Sequence, residues 1–157
     1  MLKMNFWITT HWPPLEGHEN VEWRYHIFLP DGREQAGEEL RPGDLIFIYE
    51  SKTGRPLSNS TRKYIVGREG IVALVEAKSR VVEHNNVTPE EYADGSVICW
   101  KWQARTKVNR MGFCSRIQVC RALGYNRNYT LRGFGDHRSG LKKLTMEQFD
   151  SLNEWFS

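Results

Sequence analysis

The sequence has little cysteine and no long apolar run, and these two shortages exclude several classes of protein. Cys99, Cys114 and Cys120 are odd in number and form no C-x-x-C pair, which disfavours a disulfide framework and a cysteine-rich zinc site. No apolar run approaches the roughly 18–20 residues that cross a bilayer, and the first residues lack the apolar core of a secretory signal. We therefore expect a protein of the reducing cytoplasm with no membrane partner.

The usual catalytic signatures are missing as well. The sequence has no G-x-S-x-G elbow, phosphate loop, H-E-x-x-H or dinucleotide-binding glycine fingerprint. His84-Asn85-Asn86 lacks the histidine and cysteine pairs of a metal-dependent nuclease and is interpreted as a polar turn. The stretch from Gly133 to His137 is better suited to a basic loop that contacts phosphate. We therefore expect no enzymatic activity, no metal and no cofactor.

Length and composition predict one folded unit. The chain has 157 residues, of which 39% are hydrophobic and 26% are charged. These are ordinary values for a globular protein of one domain with a sizeable core. Neither an internal repeat nor a low-complexity segment interrupts the sequence. The prediction is a single domain over residues 1–157.

Several segments have the composition of strands, because β-branched and aromatic residues cluster between turn residues. Two of them are continuous apolar runs, which is typical of strands covered on both faces. The last would place Trp100 and Trp102 on the same face of its pleat. A less regular segment at Glu22–Phe28 could also be extended. The predicted strands are Asn5–Thr10, Leu45–Tyr49, Ile71–Ala77 and Val97–Gln103.

Two late segments have the pattern of helices that begin with a capping box. The first begins at Ser115-x-x-Gln118 and should end at Gly124. The second begins at Thr145-x-x-Gln148. Each is followed by apolar residues at helical spacing. These residues are Ile117, Cys120 and Leu123 in the first helix, and Met146, Phe149, Leu152 and Phe156 in the second.

The charge is unevenly distributed, although the formal net charge is only +3. Residues 100–143 contain eleven lysines or arginines and a single acid, Asp136, so this stretch carries about +10. The rest of the chain carries about −7. Such asymmetry is typical of a face that binds a polyanion. The alternative is a solvated surface that happens to be basic.

The order of these pieces resembles a known family. An aromatic strand, Phe6-Trp-Ile-Thr-Thr-His-Trp12, and an isolated Trp23 precede the strand Leu40-Arg-Pro-Gly-Asp-Leu-Ile-Phe-Ile-Tyr49. Gly70-Ile-Val-Ala-Leu-Val-Glu76 and a late Leu-Thr-x-x-Gln-Phe helix follow. This succession is similar to the EVE domain family, which belongs with YTH and ASCH domains to the PUA-like superfamily. The resemblance implies a mixed α+β fold, a small β-barrel of about five or six strands flanked by helices.

The resemblance also implies a pocket for a modified base. YTH domains read N6-methyladenine in RNA, and prokaryotic EVE-like domains are linked to modified cytosine or adenine in DNA, often fused to a nuclease or a restriction GTPase. Glu50 stands where the family commonly has a histidine, and the stretch Glu22–His26 departs from the family pattern. The residues expected at this pocket are Thr10, His11, Trp12, Trp23, Tyr49, Ser51 and Trp102.

Aromatic walls suit this task, because stacking offsets the cost of taking a base out of the duplex. Trp7, Trp100 and Trp155 are expected in the core instead. Cations and polar groups of the basic stretch should hold the phosphates without reading sequence. These are Arg110, Arg116, Tyr125, Arg127, Tyr129, Arg132, His137, Arg138, Lys142 and Lys143.

The sequence thus predicts a reader of methylated or hydroxymethylated cytosine, or N6-methyladenine, in double-stranded DNA, which flips the base into its pocket. It would be the specificity module of a modification-dependent restriction system, with a fused or associated nuclease or GTPase. The alternative is a PUA-like RNA-binding protein that reads a modified or unstacked nucleotide.

Overall fold

A computed structural model describes residues 3–58, 61–128 and 140–157. The described chain forms three layers: a three-stranded sheet, a central five-stranded sheet and a layer of two α-helices. The mixed α+β class and the flanking helices are as predicted. The strands do not form one ring of hydrogen bonds among the described residues. They form two facing sheets with a shared core, and a further two-stranded sheet.

The central sheet contains the first three strands predicted from the sequence, and two more from the second half of the chain. Its order is β10-β1-β3-β4-β9. Strands β1 and β3 are parallel and every other pair is antiparallel. The strands are β1 (Phe6–His11), β2 (Ile27–Leu29), β3 (Leu45–Glu50), β4 (Gly70–Ala77), β5 (Val82–Glu83), β6 (Glu90–Glu91), β7 (Val97–Ile98), β8 (Trp102–Ala104), β9 (Thr106–Ser115) and β10 (Leu141–Leu144).

Both faces of the central sheet are buried, which explains its continuous apolar strands. Successive side chains of a strand point to opposite faces. In β3, Ile46 and Ile48 contribute to the core shared with the three-stranded sheet β2-β8-β5. Phe47 and Tyr49 contribute to the core under the helices. The sheet is therefore a rigid support whose strand ends and edges carry the accessible side chains.

The two capping boxes begin helices as predicted. Ser115 accepts a hydrogen bond from the Gln118 backbone N–H and begins α1 (Arg116–Leu123). Gly124 ends that helix with φ of 75°, a left-handed conformation that glycine adopts without strain. Thr145 begins α2 (Met146–Trp155) in the same way. These helices are of eight and ten residues, and no helix of the described chain is long and apolar enough to span a bilayer. Two 3₁₀ helices lie at Glu22–Tyr25 and Glu34–Gly37.

Two sequence predictions about strands are wrong. The segment Val97–Gln103 is interrupted, since β7 ends at Ile98 and β8 begins at Trp102. Trp100 and Trp102 therefore do not share a pleat. The segment Glu22–Phe28 is a 3₁₀ helix followed by the first two residues of β2. Its alternation of polar and apolar residues over so few positions does not separate a strand from a short helical turn.

Candidate nucleic-acid interface

The parallel strands β1 and β3 end side by side, and the polar side chains there form a cluster. The register pairs Thr10 with Tyr49 and His11 with Glu50. The backbone N–H of Ser51 donates to the His11 carbonyl at 2.9 Å. Arg24 joins them from the first 3₁₀ helix, with Nη2 3.2 Å from Glu50 Oε2. We call His11, Arg24, Glu50 and Ser51 the polar cluster, since Thr10 points to the opposite face of the sheet, on the side of Tyr49. Two of the predicted pocket residues are thus brought together.

Burial controls the chemistry of this cluster. It lowers the pKa of His11 from 6.5 to about 4, although a hydrogen bond with the Arg24 backbone acts in the opposite direction, so the imidazole is neutral near pH 7. Glu50 is only 3% exposed, and its Oε1 accepts the Arg68 backbone N–H at 3.0 Å. Thr10 Oγ1 is buried and has no hydrogen-bond partner in the described chain. The cluster offers neutral polar groups rather than a free charge.

Trp12 leaves this edge and packs into a second group of aromatic rings. The rings of Tyr64, Tyr92 and Trp100 pack against it in T-shaped pairs, with ring centroids 5.7–6.1 Å from that of Trp12. Trp100 Nε1 donates to the Tyr92 hydroxyl at 3.0 Å, and the Arg55 guanidinium lies 6.0 Å from the Trp12 ring. Trp12 is half-buried among these rings, and its place at the pocket rim stays a prediction.

Tyr49 is likewise corrected, since it cannot be the wall of an open pocket. Its side chain is 1% exposed and belongs to the core under the helices, where burial raises its pKa. Of the tryptophans expected in the core, Trp7 is buried and Trp155 is exposed on α2.

Trp23 and Trp102 lie on opposite faces of the small sheet. Trp102 is the cross-strand neighbour of Leu29, whose side chain is buried in the shared core. Trp23 packs edge-on against Phe28, which points to the other face, and is 48% exposed. The two rings therefore cannot be facing walls of one pocket. Sequence spacing could not reveal this, because the order of strands places them.

Trp102 lines a cavity of about 310 Å³. Trp102 Nε1 and Glu34 Oε2 are both buried there without a hydrogen-bond partner in the described residues. The Val81 side chain packs closely on Gly37, because a Cβ at this position would lie only 2.5 Å from Val81 Cγ2. We call this space the tryptophan cavity. Its lining residues are Glu34, Gly37, Glu38, Arg80, Val81 and Trp102.

A larger cleft of about 600 Å³ lies between residues 19–26 and the first half of β9. One wall carries Lys78, Arg105 and Lys107, and the other carries Glu19 and Glu22. We call it the β9 cleft. The hydroxyl of Thr106 donates to the Tyr25 carbonyl at 2.8 Å and joins the two walls. Its lining is completed by Asn20, Val21, Arg24, Tyr25, His26, Val108 and Met111. Sequence reasoning missed it, although Arg105 and Lys107 lie in the basic stretch.

Among the described residues, those predicted to bind phosphate do not lie together on one edge of the central sheet. Strands β9 and β10 are opposite edges of the central sheet, so Arg110 and Lys142 are four strand spacings apart, about 19 Å. Arg110 is engaged by the C-terminal residues, through the Phe156 carbonyl at 3.4 Å, the Asn153 side chain and the Phe156 ring. Its assignment to phosphate stays a prediction.

The remaining predicted cations differ in their surroundings. Arg116 donates to the Arg127 carbonyl at 2.8 Å and thus holds the segment after α1, while Arg127 is exposed. Tyr125 is partly buried and packs against the core under the helices, and its assignment to phosphate stays a prediction. Lys142 is half-buried on β10, and exposed Lys143 lies 3.8 Å from Glu39. Tyr129, Arg132, His137 and Arg138 lie outside the described residues.

Several solved structures are similar to this chain. The NMR structure of Rpa0253 from Rhodopseudomonas palustris covers 97% of this chain and 92% of its own, at a TM-score of 0.53 and 13% identity. The crystal structure of Atu2648 from Agrobacterium tumefaciens covers 96% and 92%, at 0.51 and 13%. Human THYN1 in complex with DNA that contains 5-methylcytosine covers 93% and 94%, at 0.49 and 16%.

No protein-family model matches the sequence, and a search of curated proteins finds no match. At these identities the likeness establishes the fold alone. The chain has the small mixed α+β fold of Rpa0253 and Atu2648, and the expected mixed α+β class with flanking helices is confirmed.

Proposed function

We propose that the protein binds DNA and holds one modified, unstacked base in the tryptophan cavity. The observation that carries this proposal is the pair of unsatisfied polar atoms there, a donor at Trp102 Nε1 and an acceptor at Glu34 Oε2. A buried polar atom without a partner costs about 1–3 kcal/mol, so native structures seldom keep two of them in one small cavity. Both atoms are closed off from solvent in the free protein, so a ligand reaches them only when these side chains turn toward the cavity. It then donates to Glu34, accepts from Trp102 and removes both costs.

The Watson–Crick edge of cytosine or adenine has this pairing of groups. Each base carries an exocyclic amine, which donates to a carboxylate, beside a ring nitrogen that accepts from an indole N–H. Methylation at cytosine C5 or adenine N6 leaves at least one amine hydrogen available. Val81 supplies an apolar contact for the methyl group.

Cations at both edges of the central sheet support a double-stranded ligand. Lys142 and Lys143 lie on β10, and Arg105 and Lys107 lie at the start of β9, on the far side of the sheet. A protein that extrudes a base from a duplex must hold phosphates on both sides of the gap. Such contacts predict binding that weakens steeply with salt. The resemblance to EVE domains adds that the protein acts as the specificity module of a modification-dependent restriction system, next to a nuclease or GTPase.

An RNA-binding function is the second candidate, and Trp23 favours it. Its half-exposed ring stands on the outer face of the small sheet beside Phe28. Exposed aromatic rings of this kind stack unpaired bases of single strands without reading their sequence. In this alternative, stacking on Trp23 provides the affinity for RNA, and the tryptophan cavity does not contribute to binding.

Titration against matched oligonucleotides separates the two functions. The ligands are duplexes with unmodified cytosine, 5-methylcytosine, 5-hydroxymethylcytosine or N6-methyladenine, and a single-stranded RNA of the same sequence. The base reader prefers one modified duplex by at least about tenfold, or 1.4 kcal/mol. Equal binding of every duplex together with tighter binding of the RNA would overturn the proposal.

Paired variants locate the site. Trp102→Ala and Glu34→Gln should each remove the preference for the modified duplex and leave the salt-dependent background binding. Trp23→Ala should leave the preference intact. The matched controls are Trp155→Ala and Glu91→Gln, since these side chains are exposed on α2 and β6, away from both cavities. Loss of preference in a control variant as large as that in Trp102→Ala would contradict the location.

A further inference from the structure

The β9 cleft lies next to the tryptophan cavity. Trp102 lines the cavity and Arg105 lines the cleft, and three residues of chain span at most about 10 Å. On a second segment, Lys78 lines the cleft and Arg80 lines the cavity. The backbone between them is fixed, because Lys78 N–H donates to the Arg105 carbonyl at 2.8 Å and Arg105 N–H donates to Ser79 Oγ at 2.9 Å. A ligand longer than one nucleotide can therefore reach both spaces.

The charges of the cleft are separated onto two walls. Arg105 and Lys107 are exposed and form no ion pair with any other residue of the described ranges, whereas Lys78 is paired with Glu76 and Arg24 with Glu50. Across the cleft stand the carboxylates of Glu19 and Glu22. A bare anion such as free phosphate is attracted by the first wall and repelled by the second. A ligand with an anionic end and a hydrogen-donating end fits both walls.

Apolar side chains line the same space. Val108 and Met111 are 43% and 54% exposed on β9, and Tyr25 lies opposite, on the segment that carries Glu22. Large exposed apolar side chains next to cations are typical of surfaces that contact the sugar and base of a nucleotide as well as its phosphate. The volume of about 600 Å³ lies within the usual range for small-molecule sites.

We propose that the β9 cleft binds the nucleotide adjacent to the extruded base on the same strand. Arg105 and Lys107 hold its phosphate, Val108 and Met111 contact its sugar and base, and the Glu19–Glu22 wall accepts hydrogen bonds from amino groups of that base. This inference rests on the proposed function, because it assigns the second nucleotide of the same ligand. It also makes the cleft a place where the sequence next to the modified base affects affinity.

The salt dependence of binding tests the phosphate contact. Arg105→Ala/Lys107→Ala should weaken the modified and unmodified duplexes equally, by about tenfold, and reduce the slope of log affinity against log salt by about 1–2. The preference for the modified base should remain. The matched control is Lys52→Ala/Lys63→Ala, which removes two exposed cations of the 51–68 loop and should leave the slope unchanged. Thermal unfolding by circular dichroism verifies that each variant is folded.

Small ligands test the nature of the site. In ¹H–¹⁵N spectra, millimolar deoxycytidine 5′-monophosphate should shift the backbone signals of residues 105–111, and inorganic phosphate at the same concentration should not. Equal shifts with both ligands would show a simple anion site and overturn the inference. An unchanged salt slope in the double variant would overturn it as well.

The outcomes for the two proposals are distinguishable. If the protein prefers no modified base but the double variant reduces the salt slope, the proposal for the β9 cleft is supported and the base-reading function is overturned. If the preference is intact but the double variant leaves the slope unchanged, the base-reading function is supported and the proposal for the cleft is overturned.

Discussion

Arg24 Nη2 lies 3.2 Å from Glu50 Oε2 and ties the first 3₁₀ helix to the end of β3. Glu50 is buried and also accepts the Arg68 backbone N–H. One carboxylate therefore contacts both the first 3₁₀ helix and the segment that precedes β4. Arg24 and Tyr25 in turn form one side of the β9 cleft. The pair thus links the interior of the fold to the shape of a candidate binding surface.

Removal of this carboxylate should destabilise the protein strongly. Glu50→Ala leaves the Arg24 guanidinium and the Arg68 N–H without their buried acceptor, which we expect to lower the free energy of unfolding by about 3 kcal/mol. The matched change is Glu76→Ala, since Glu76 forms a more exposed pair with Lys78 and should cost less than about 1 kcal/mol. Urea unfolding measures both. Similar losses in the two variants would contradict the structural role given to Glu50.

His11 should make stability dependent on pH. The folded protein holds the pKa of His11 at about 4, below its ordinary 6.5, so the unfolded chain binds more protons between these values. Stability is therefore full above about pH 6.5 and is lost as the pH falls toward 4, by on the order of 1–3 kcal/mol. His11→Gln should flatten this dependence between pH 7 and 4.5, whereas His84→Gln, an exposed site, should keep it. Equal pH profiles for wild type and His11→Gln would remove the explanation.

The helices should depend on one aromatic side chain. Phe149 of α2 stacks on Phe6 with ring centroids 4.1 Å apart and lies 5.3 Å from Phe47. Phe149→Ala should therefore lower the free energy of unfolding by about 3–5 kcal/mol, because a large cavity is left against the central sheet. Met146→Ala, at an exposed position of the same helix, should change it by less than about 0.5 kcal/mol. Chemical denaturation of both variants measures the difference.

The sequence predicted the parts of this fold that depend on local chemistry. Capping boxes at Ser115 and Thr145 and the left-handed end at Gly124 are local patterns, and both helices were confirmed. The apolar runs of β3 and β4 indicated strands covered on both faces, which was also confirmed. These features depend only on residues that are close together in the sequence.

The candidate site could be predicted only in part, because it depends on distant pairings. The resemblance indicated a pocket, but it did not indicate that Trp12 packs against Tyr64, Tyr92 and Trp100, which lie far from it in sequence. Trp102 was named as a wall, but its partner Glu34 was not, since no pattern in the sequence connects them. Glu34 and Trp102 line the same cavity because of the way the second 3₁₀ helix is placed relative to β8, and this placement is a tertiary contact.

The most direct test of the base-reading proposal is the indole N–H signal of Trp102, assigned by its loss in Trp102→Phe, during titration with a duplex that contains 5-methylcytosine or N6-methyladenine. We predict that this signal moves downfield on binding one of the modified duplexes, since Trp102 Nε1 gains a hydrogen-bond acceptor, and that it stays in place with the unmodified duplex. A Trp102 signal that stays in place with every bound duplex, while that of Trp23 moves, would contradict the proposal.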